Sequence, residues 1–333
     1  MAVASTGLLA ACTSGSTVGD DPAEECAVKF EAREASRASV ITNSTLTDNA
    51  FAVYGDIVRT SGGASPRQIF DGTQVTHTAD GWSYGTPQYW FPGYSYSFVA
   101  VCPVPGQNIS DLNYENNRLA FTYSPSGYQD ASDVLIATHR RRYTEGNSST
   151  VAFKFHHTLS RLNFVAQVDP DSEDDVMIER LALTDVVTGA SYEIIPASIS
   201  SGSETDDYTL GTWTLDEATR GNAFVREEGI LLMKGEKKDL FPVDSDPLIV
   251  IPQEVTTDME VEITYHYALS PESKVVTSAR LFPIANTNHG GKWDAGKSYT
   301  YHFSLGANAF VIYSVPEVED WKDAEGGNYV ITD

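Results

Sequence analysis

The sequence predicts an all-β protein built as two tandem antiparallel β-sandwich domains. Three observations lead there. Apolar residues recur with a period of two along many short runs, the mark of a strand with one face in a core. Clusters of Gly, Asn, Asp and Pro such as "TSGGASP", "TADGW" and "SPSGYQD" separate those runs. The chain of 333 residues is long enough for two domains, each with a core of its own.

The runs follow in order. "CAVKFEAR" sets Cys26, Val28, Phe30 and Ala32 on one face and Lys29, Glu31 and Arg33 on the other. A strand over Cys26 to Ala32 is expected, with Val28 and Phe30 packed into the first domain. "YSYSFVAVC" alternates Tyr94, Tyr96, Phe98, Ala100 and Cys102 with Ser95, Ser97, Val99 and Val101. "VAFKF" and "RLNFVAQV" continue the pattern through Val151, Phe153, Phe155, Leu162, Phe164, Ala166 and Val168. "DASDVLIATHRRRY" reads as an amphipathic helix or as strand plus loop. "PLIVIP" is a short apolar strand between prolines, expected near a sheet edge. "MEVEITYHY" and "YTYHFSL" alternate again. The acidic segment "DPDSEDD", Asp169 to Asp175, is the expected domain boundary. It divides the chain into 38–169 and 170–333 behind a leader of residues 1–37, each half of ordinary domain size.

Composition narrows the function. Apolar residues make up 41% and aromatics 11%, as in a globular protein. Lys and Arg number 22 against 46 Asp and Glu, a net charge of 22 − 46 = −24. That excludes a nucleic-acid binder, which needs a basic face for the phosphates. No apolar stretch reaches 18 residues, so no transmembrane helix is expected. The cysteines, Cys12, Cys26 and Cys102, give no disulfide framework and no C-x-x-C metal pair.

Cys12 follows "GLLAA", small residues after a short apolar run. This is the pattern of a bacterial lipoprotein signal, in which the cysteine is acylated. Met1 to Ala11 carries no Lys or Arg, so the positive start of such a signal is expected upstream. "TSGSTVGDDPAEE" then reads as a flexible tether. Past the first strand, "AREASRASVIT" holds Arg33 and Arg37 among small polar residues, a segment open to nicking. Cleavage is expected after Arg37, with Arg33 as the second choice.

The usual catalytic patterns fail. "GYSYS" has Ser97 where a nucleophile elbow needs its last glycine. In "DPDSEDD" the carboxylates of Asp169, Asp171, Glu173 and Asp175 alternate as in a calcium loop. Yet Asp174 stands at the turn glycine and Arg180 at the bidentate glutamate, so a solvated linker is expected. His156 and His157 are adjacent and on a strand face opposite ways, one packed and one exposed. No H-E-x-x-H occurs. No metal and no cofactor are expected. The aromatics Trp82, Tyr84, Tyr89, Trp90 and Phe91 would stack on sugar rings if exposed; core at a strand entry is the favoured reading.

Several stretches in order resemble one family. They are the lipoprotein-like Cys12, "AREASRASVIT", "FAVYGD", "YWFPGYSYSFVAVCP", "FHHTLSRLNFVAQV", "WDAGKSYTYHFSL" and "VPEVEDWKDAEGG". The chain resembles the fimbrillins of the Bacteroidales, the FimA-like and Mfa-like pilus subunits, over nearly its whole length. The resemblance implies two transthyretin-like β-sandwiches, export as a lipoprotein to the outer membrane, and removal of the first strand by an arginine-specific protease. It implies partners too: other fimbrial subunits, joined by a donated strand. The C-terminal run is the expected donor, carrying Phe310, Ile312, Val315, Val318 and Trp321, with Pro316 weakening the pairing midway. The alternative is an outer-membrane surface lipoprotein that binds glycans.

Overall fold

The computed structural model describes residues 27–34, 46–60, 65–106, 108–143, 150–169, 172, 174–196, 211–220, 222–242, 247–281, 291–306, 310–312 and 317–320. It is all-β. The first half forms β1 (Lys29–Glu34), β2 (Phe51–Arg59), β3 (Arg67–Thr78), β4 (Gly81–Ser83), β5 (Tyr94–Cys102), β6 (Ile109–Glu115), β7 (Arg118–Tyr123), β8 (Leu135–Arg142) and β9 (Thr150–His157). The second half forms β10 (Ser160–Val168), β11 (Val176–Val186), β12 (Ala190–Ile194), β13 (Thr212–Leu215), β14 (Asn222–Arg226), β15 (Ile230–Leu232), β16 (Lys237–Asp239), β17 (Leu248–Val250), β18 (Glu260–Tyr267), β19 (Ser270–Arg280), β20 (Lys297–Leu305), β21 (Phe310–Ile312) and β22 (Glu317–Asp320).

Seven strands of the first half make one sheet, in the order β1-β9-β8-β5-β2-β3-β4. Its inner face encloses a core of Phe51, Val53, Phe70, Tyr96, Phe98, Phe153 and their neighbours. β2 and β5 approach so closely at Gly55 that a Cβ there would lie 2.8 Å from the Phe98 ring, so the position requires glycine. In the second half β10 and β20 face β11 and β18 across another core, with Leu162, Phe164, Tyr301 and Phe303 on one side and Ile178, Leu181, Val261 and Ile263 on the other.

A third core joins the halves. The four-stranded sheet β13-β12-β7-β6 takes two strands from each half, through the antiparallel pairing of β12 with β7. Beneath it Val99, Val101 and Ile136 meet Phe121, Tyr192, Ile249 and Ile251. This explains why the strands expected to be half-buried are buried on both faces: in β5, Tyr96, Phe98, Ala100 and Cys102 enter the first core while Val99 and Val101 enter the third. "DASDVLIATHRRRY" resolves to the strand β8, held between β5 and β9.

Two further differences from the sequence reading are physical. β10 precedes the acidic segment but belongs to the second core, so the change of core falls near Leu159. In the acidic segment Asp174 and Asp175 are tied to the fold: the Asp174 carboxylate accepts the amides of Asp175 and Leu269, and the Asp175 carboxylate accepts that of Lys234. Leu248, Ile249 and Val250 of β17 are buried, although among the described strands β17 pairs only with β10 and so lies at an edge.

Candidate functional site

The candidate site is the seat of β1. β1 runs parallel to β9, from Lys29 opposite Thr150 to Glu34 opposite Phe155, and forms an end of its sheet. Phe30 within it and Val28 just before it turn inward, where they are 3% and 1% exposed. Lys29 and Glu31 face solvent. Four rings surround the Phe30 ring. Phe153 stacks on it at 5.5 Å between centroids, and Phe70, Tyr84 and Phe98 stand tilted or edge-on at 5.4, 5.3 and 6.1 Å. Ala32 packs at the margin of the same core and is only partly buried.

The loop after β4 clasps the start of β1 from its other side. The Val28 amide donates to the Gln88 carbonyl at 2.7 Å, and Ala27 forms an antiparallel bridge with Tyr89. The Tyr84 hydroxyl donates to the Val28 carbonyl at 2.7 Å and accepts the Gln88 amide at 3.2 Å. Burial is the main cause that pushes the Tyr84 phenol above its ordinary range, so it stays a neutral donor. All of these contacts read backbone, whereas the ring box reads side chains.

The remaining site residues fall as follows. Arg33 lies within β1, opposite Lys154 in register. Phe310 and Ile312 lie in β21 and Val318 in β22. Both strands run antiparallel to β20, Phe310 opposite Leu305, Ile312 opposite Phe303 and Val318 opposite Tyr299. Together they line the edge of β20 that β10 does not occupy. Cys12, Arg37, Val315 and Trp321 lie outside the described residues.

The loop aromatics divide. Trp90 is buried, with the Tyr143 ring stacked at 5.2 Å and the Arg141 guanidinium 5.2 Å from its ring. Trp82 packs on Phe51 and His77, and Tyr84 belongs to the β1 seat. Only Tyr89 and Phe91 are exposed, at 39% and 37%. His157 is buried and meets the Asp133 carboxylate at 2.6 Å. Its neighbour His156 faces the other way, half-buried rather than exposed, and burial lowers its pKa to about 4. Both side chains of the His157–Asp133 pair are closed off from solvent, so no substrate reaches them. Among the described residues no group of three or more His, Cys, Asp or Glu could hold a metal ion, and no helix is long and apolar enough to cross a membrane.

The strand expected over Cys26 to Ala32 is observed over Lys29 to Glu34; Val28 and Phe30 are buried, as alternation suggests, and the box around them was not read from the sequence. Phe98 and Phe153 carry the period-two signal of an inward residue, whereas Phe70, with Gln68 and Gly72 at that spacing, does not, and nothing local says that the three converge. Gln88 gives no signal, because its part is played by a main-chain carbonyl.

Comparison with known proteins agrees with this architecture. A family described as fimbrillin-like matches residues 36–321. No curated protein sequence matches the chain. Among solved structures, a fimbrial protein from Bacteroides vulgatus superposes with a TM-score of 0.58 at 15% identity, over 89% of this chain and 100% of that one. The fimbrial anchor protein Mfa2 from Porphyromonas gingivalis gives a TM-score of 0.36 at 11% identity, over 89% and 98%. At such identity the first likeness shows a shared fold.

Proposed function

Because the chain belongs to the fimbrillin-like family, we propose that it is a structural, non-enzymatic subunit of a cell-surface fimbria that supports adhesion. The precursor is exported as a lipoprotein, acylated at Cys12 and held at the outer membrane by its lipid. Stable anchoring takes more than one acyl chain. An arginine-specific protease then removes β1 by cutting after Arg37. Arg33 is the poorer site, since it is paired in the strand and would have to open first. The emptied seat accepts a strand from a neighbouring subunit, donated by the tail from about Phe310 onward. A head-to-tail contact of this kind does not close, so it propagates as a fibre.

The observation that carries this reading is the placement of β1. Among the described strands it is laddered to one alone and comes first in the sequence, and with Val28 just before it and Phe30 within it fills a core. Burial of those two side chains contributes about 3–6 kcal/mol before entropy is subtracted. Its loss leaves an apolar groove beside the unpaired edge of β9, and such an edge pairs with another strand. The tail suits a donor because β21 and β22 occupy the outer edge of β20, and their departure would leave the pairing of β20 with β10 in place.

The test is to treat the purified full chain with an arginine-specific protease and follow polymers by electron microscopy and sedimentation. Fibres are expected from the processed chain, and no fibres from a chain lacking Pro316 to Asp333. A fully processed wild-type chain that stays monomeric overturns the assembly reading. A truncated chain that still forms fibres overturns the tail as donor.

A further inference from the structure

Tyr89 and Phe91 stand outside the three cores, on either side of a ring that is folded away. That ring, Trp90, is held by Tyr143 stacked at 5.2 Å, by Tyr96 at 4.4 Å and by the Arg141 guanidinium. The Tyr96 hydroxyl fixes the backbone on both sides of it, accepting the Phe91 amide at 2.7 Å and donating to the Tyr89 carbonyl at 3.2 Å. With Trp90 as the plug, the two outer rings are held on the surface by a rigid support. Their surroundings are unusual for this chain. From Gly81 to Ser110 there is no Asp, Glu, Lys or Arg, although 22 + 46 = 68 of the 333 residues are charged. Two cations lie against the aromatics of this stretch, Arg141 at Trp90 and Arg59 at 5.9 Å from the Tyr94 ring. The same loop borders the entry of the chain into the fold, where Ala27 bridges Tyr89. From Cys12 to Ala27 the chain runs 27 − 12 = 15 residues, a reach of at most roughly 50 Å.

We propose that Tyr89 and Phe91 form a docking surface for a phospholipid bilayer, on which the anchored precursor rests this end of the molecule. The proposal rests on the reading that Cys12 is acylated. Exposed aromatic rings settle at the headgroup level, where one end is apolar and the other wet. An acyl chain alone holds marginally, and a second contact makes the attachment stable. The tether keeps the loop beside the bilayer, so this second contact is intramolecular. Its effective concentration is on the order of millimolar, and a pair of rings that binds weakly by itself is enough. The absence of carboxylates matters for the same reason, since a loop as acidic as the rest of the chain would be repelled by phosphate headgroups. A sugar is the less suited occupant. Besides stacking, its hydroxyls need carboxylates or amides, and between Gly81 and Gly93 only Gln88 supplies one. Cleavage after Arg37 cuts the tether and leaves the weak ring contact alone, so the processed subunit leaves the membrane.

The test uses the full chain with an amino-terminal hexahistidine tag, held on phosphatidylcholine vesicles by a nickel-chelating lipid and scored by vesicle sedimentation. The wild-type chain is expected to bind these vesicles on the order of tenfold more tightly than the double variant Tyr89→Ser, Phe91→Ser. The two should bind a nickel chelate without lipid equally, and both replaced side chains are exposed, so their unfolding midpoints should match. Phe91→Trp is the second variant. It should keep the wild-type affinity, and its added fluorescence should be quenched by lipids brominated on the acyl chain. Equal vesicle affinity of the wild type and the double variant, or a Phe91→Trp signal that brominated lipid does not quench, overturns the proposal. So does a wild-type advantage that appears only when lipopolysaccharide is added to the vesicles, which would assign the rings to a sugar. The tag stands in for the acyl chain, so the lipoprotein reading is scored apart by the mass of the native precursor: a precursor without an acyl chain removes the anchor and leaves the measured lipid affinity of the loop in place.

Discussion

Phe30 is the residue on which the first core turns. It touches four rings from three strands and the loop after β4, so truncation leaves a cavity that no single neighbour can fill. Phe30→Ala in the full chain is expected to cost about 3–5 kcal/mol in urea unfolding, and Phe30→Leu clearly less. A cost below about 1 kcal/mol for the alanine variant would mean that β1 is not seated there. Asp56 offers a second residue-level prediction. It is buried, accepts the Tyr114 hydroxyl at 3.1 Å, and its pKa is raised, mainly by burial, against the lowering effect of bonds from Tyr114 and the Asn117 amide. A raised folded-state pKa means that the folded chain holds this proton more tightly than the unfolded chain. The stability it contributes is full below the unfolded carboxyl value of about 3.9 and is lost as pH rises through the folded value. Asp56→Asn, which keeps an acceptor for Tyr114, should therefore match or exceed the wild type at pH 7, with the difference shrinking in acid; denaturant midpoints across pH read this directly. Val28 and Phe30 were legible because alternation is local. Asp56 was not, because its partner lies 58 residues away.

At the scale of elements, the long period-two runs were legible in type and nearly in extent. "YSYSFVAVC" is β5 end to end, and "RLNFVAQV" is all but the first residue of β10. What alternation could not give was partnership. The parallel pairing of β1 with β9, and the membership of β10 in the second core, depend on contacts between distant segments. In the acidic segment the carboxylates of Asp175 and Asp174 accept the backbone amides of Lys234 and Leu269, partners that no nearby residue announces. The turn between β6 and β7 is set by two asparagines that the sequence reading did not single out. Asn116 and Asn117 have φ of 52° and 60°, the pair of left-handed residues that a tight two-residue hairpin requires. Asn117 then binds outward: its amide donates to the Pro196 carbonyl at 3.1 Å and its oxygen accepts the Ser97 hydroxyl at 2.6 Å. Asn116→Gly should be neutral within about 0.5 kcal/mol, whereas Asn116→Val, branched at a positive φ, should cost about 1–3 kcal/mol. Thermal melts of the two variants compare them, and equal stability would show that the turn is not of this kind.

For the whole molecule, the question is whether the halves act as one body. Two independent sandwiches on a linker would unfold separately and would bend at the joint in a fibre under tension. Here the joint is a sheet and a core. β12 lies against β7, and Phe121 of the first half stacks on Tyr192 of the second at 5.1 Å. Trp213 stands 4.8 Å from Tyr192, and its indole N–H donates to the Thr158 carbonyl at 2.7 Å, where the chain passes from one half to the other. Tyr192 is almost fully buried, so its ring cannot leave without opening the joint. A single calorimetric transition is expected for the wild-type chain, with calorimetric and van't Hoff enthalpies equal. Tyr192→Ala removes the ring that both Phe121 and Trp213 rest on, at a cost of about 3–5 kcal/mol, all of it at the junction. Its loss should therefore uncouple the halves and not merely lower one midpoint. The variant is expected to unfold in two resolved steps. Two steps already present in the wild type, or one step retained in Tyr192→Ala with only a shifted midpoint, would show that the shared sheet does not couple the halves.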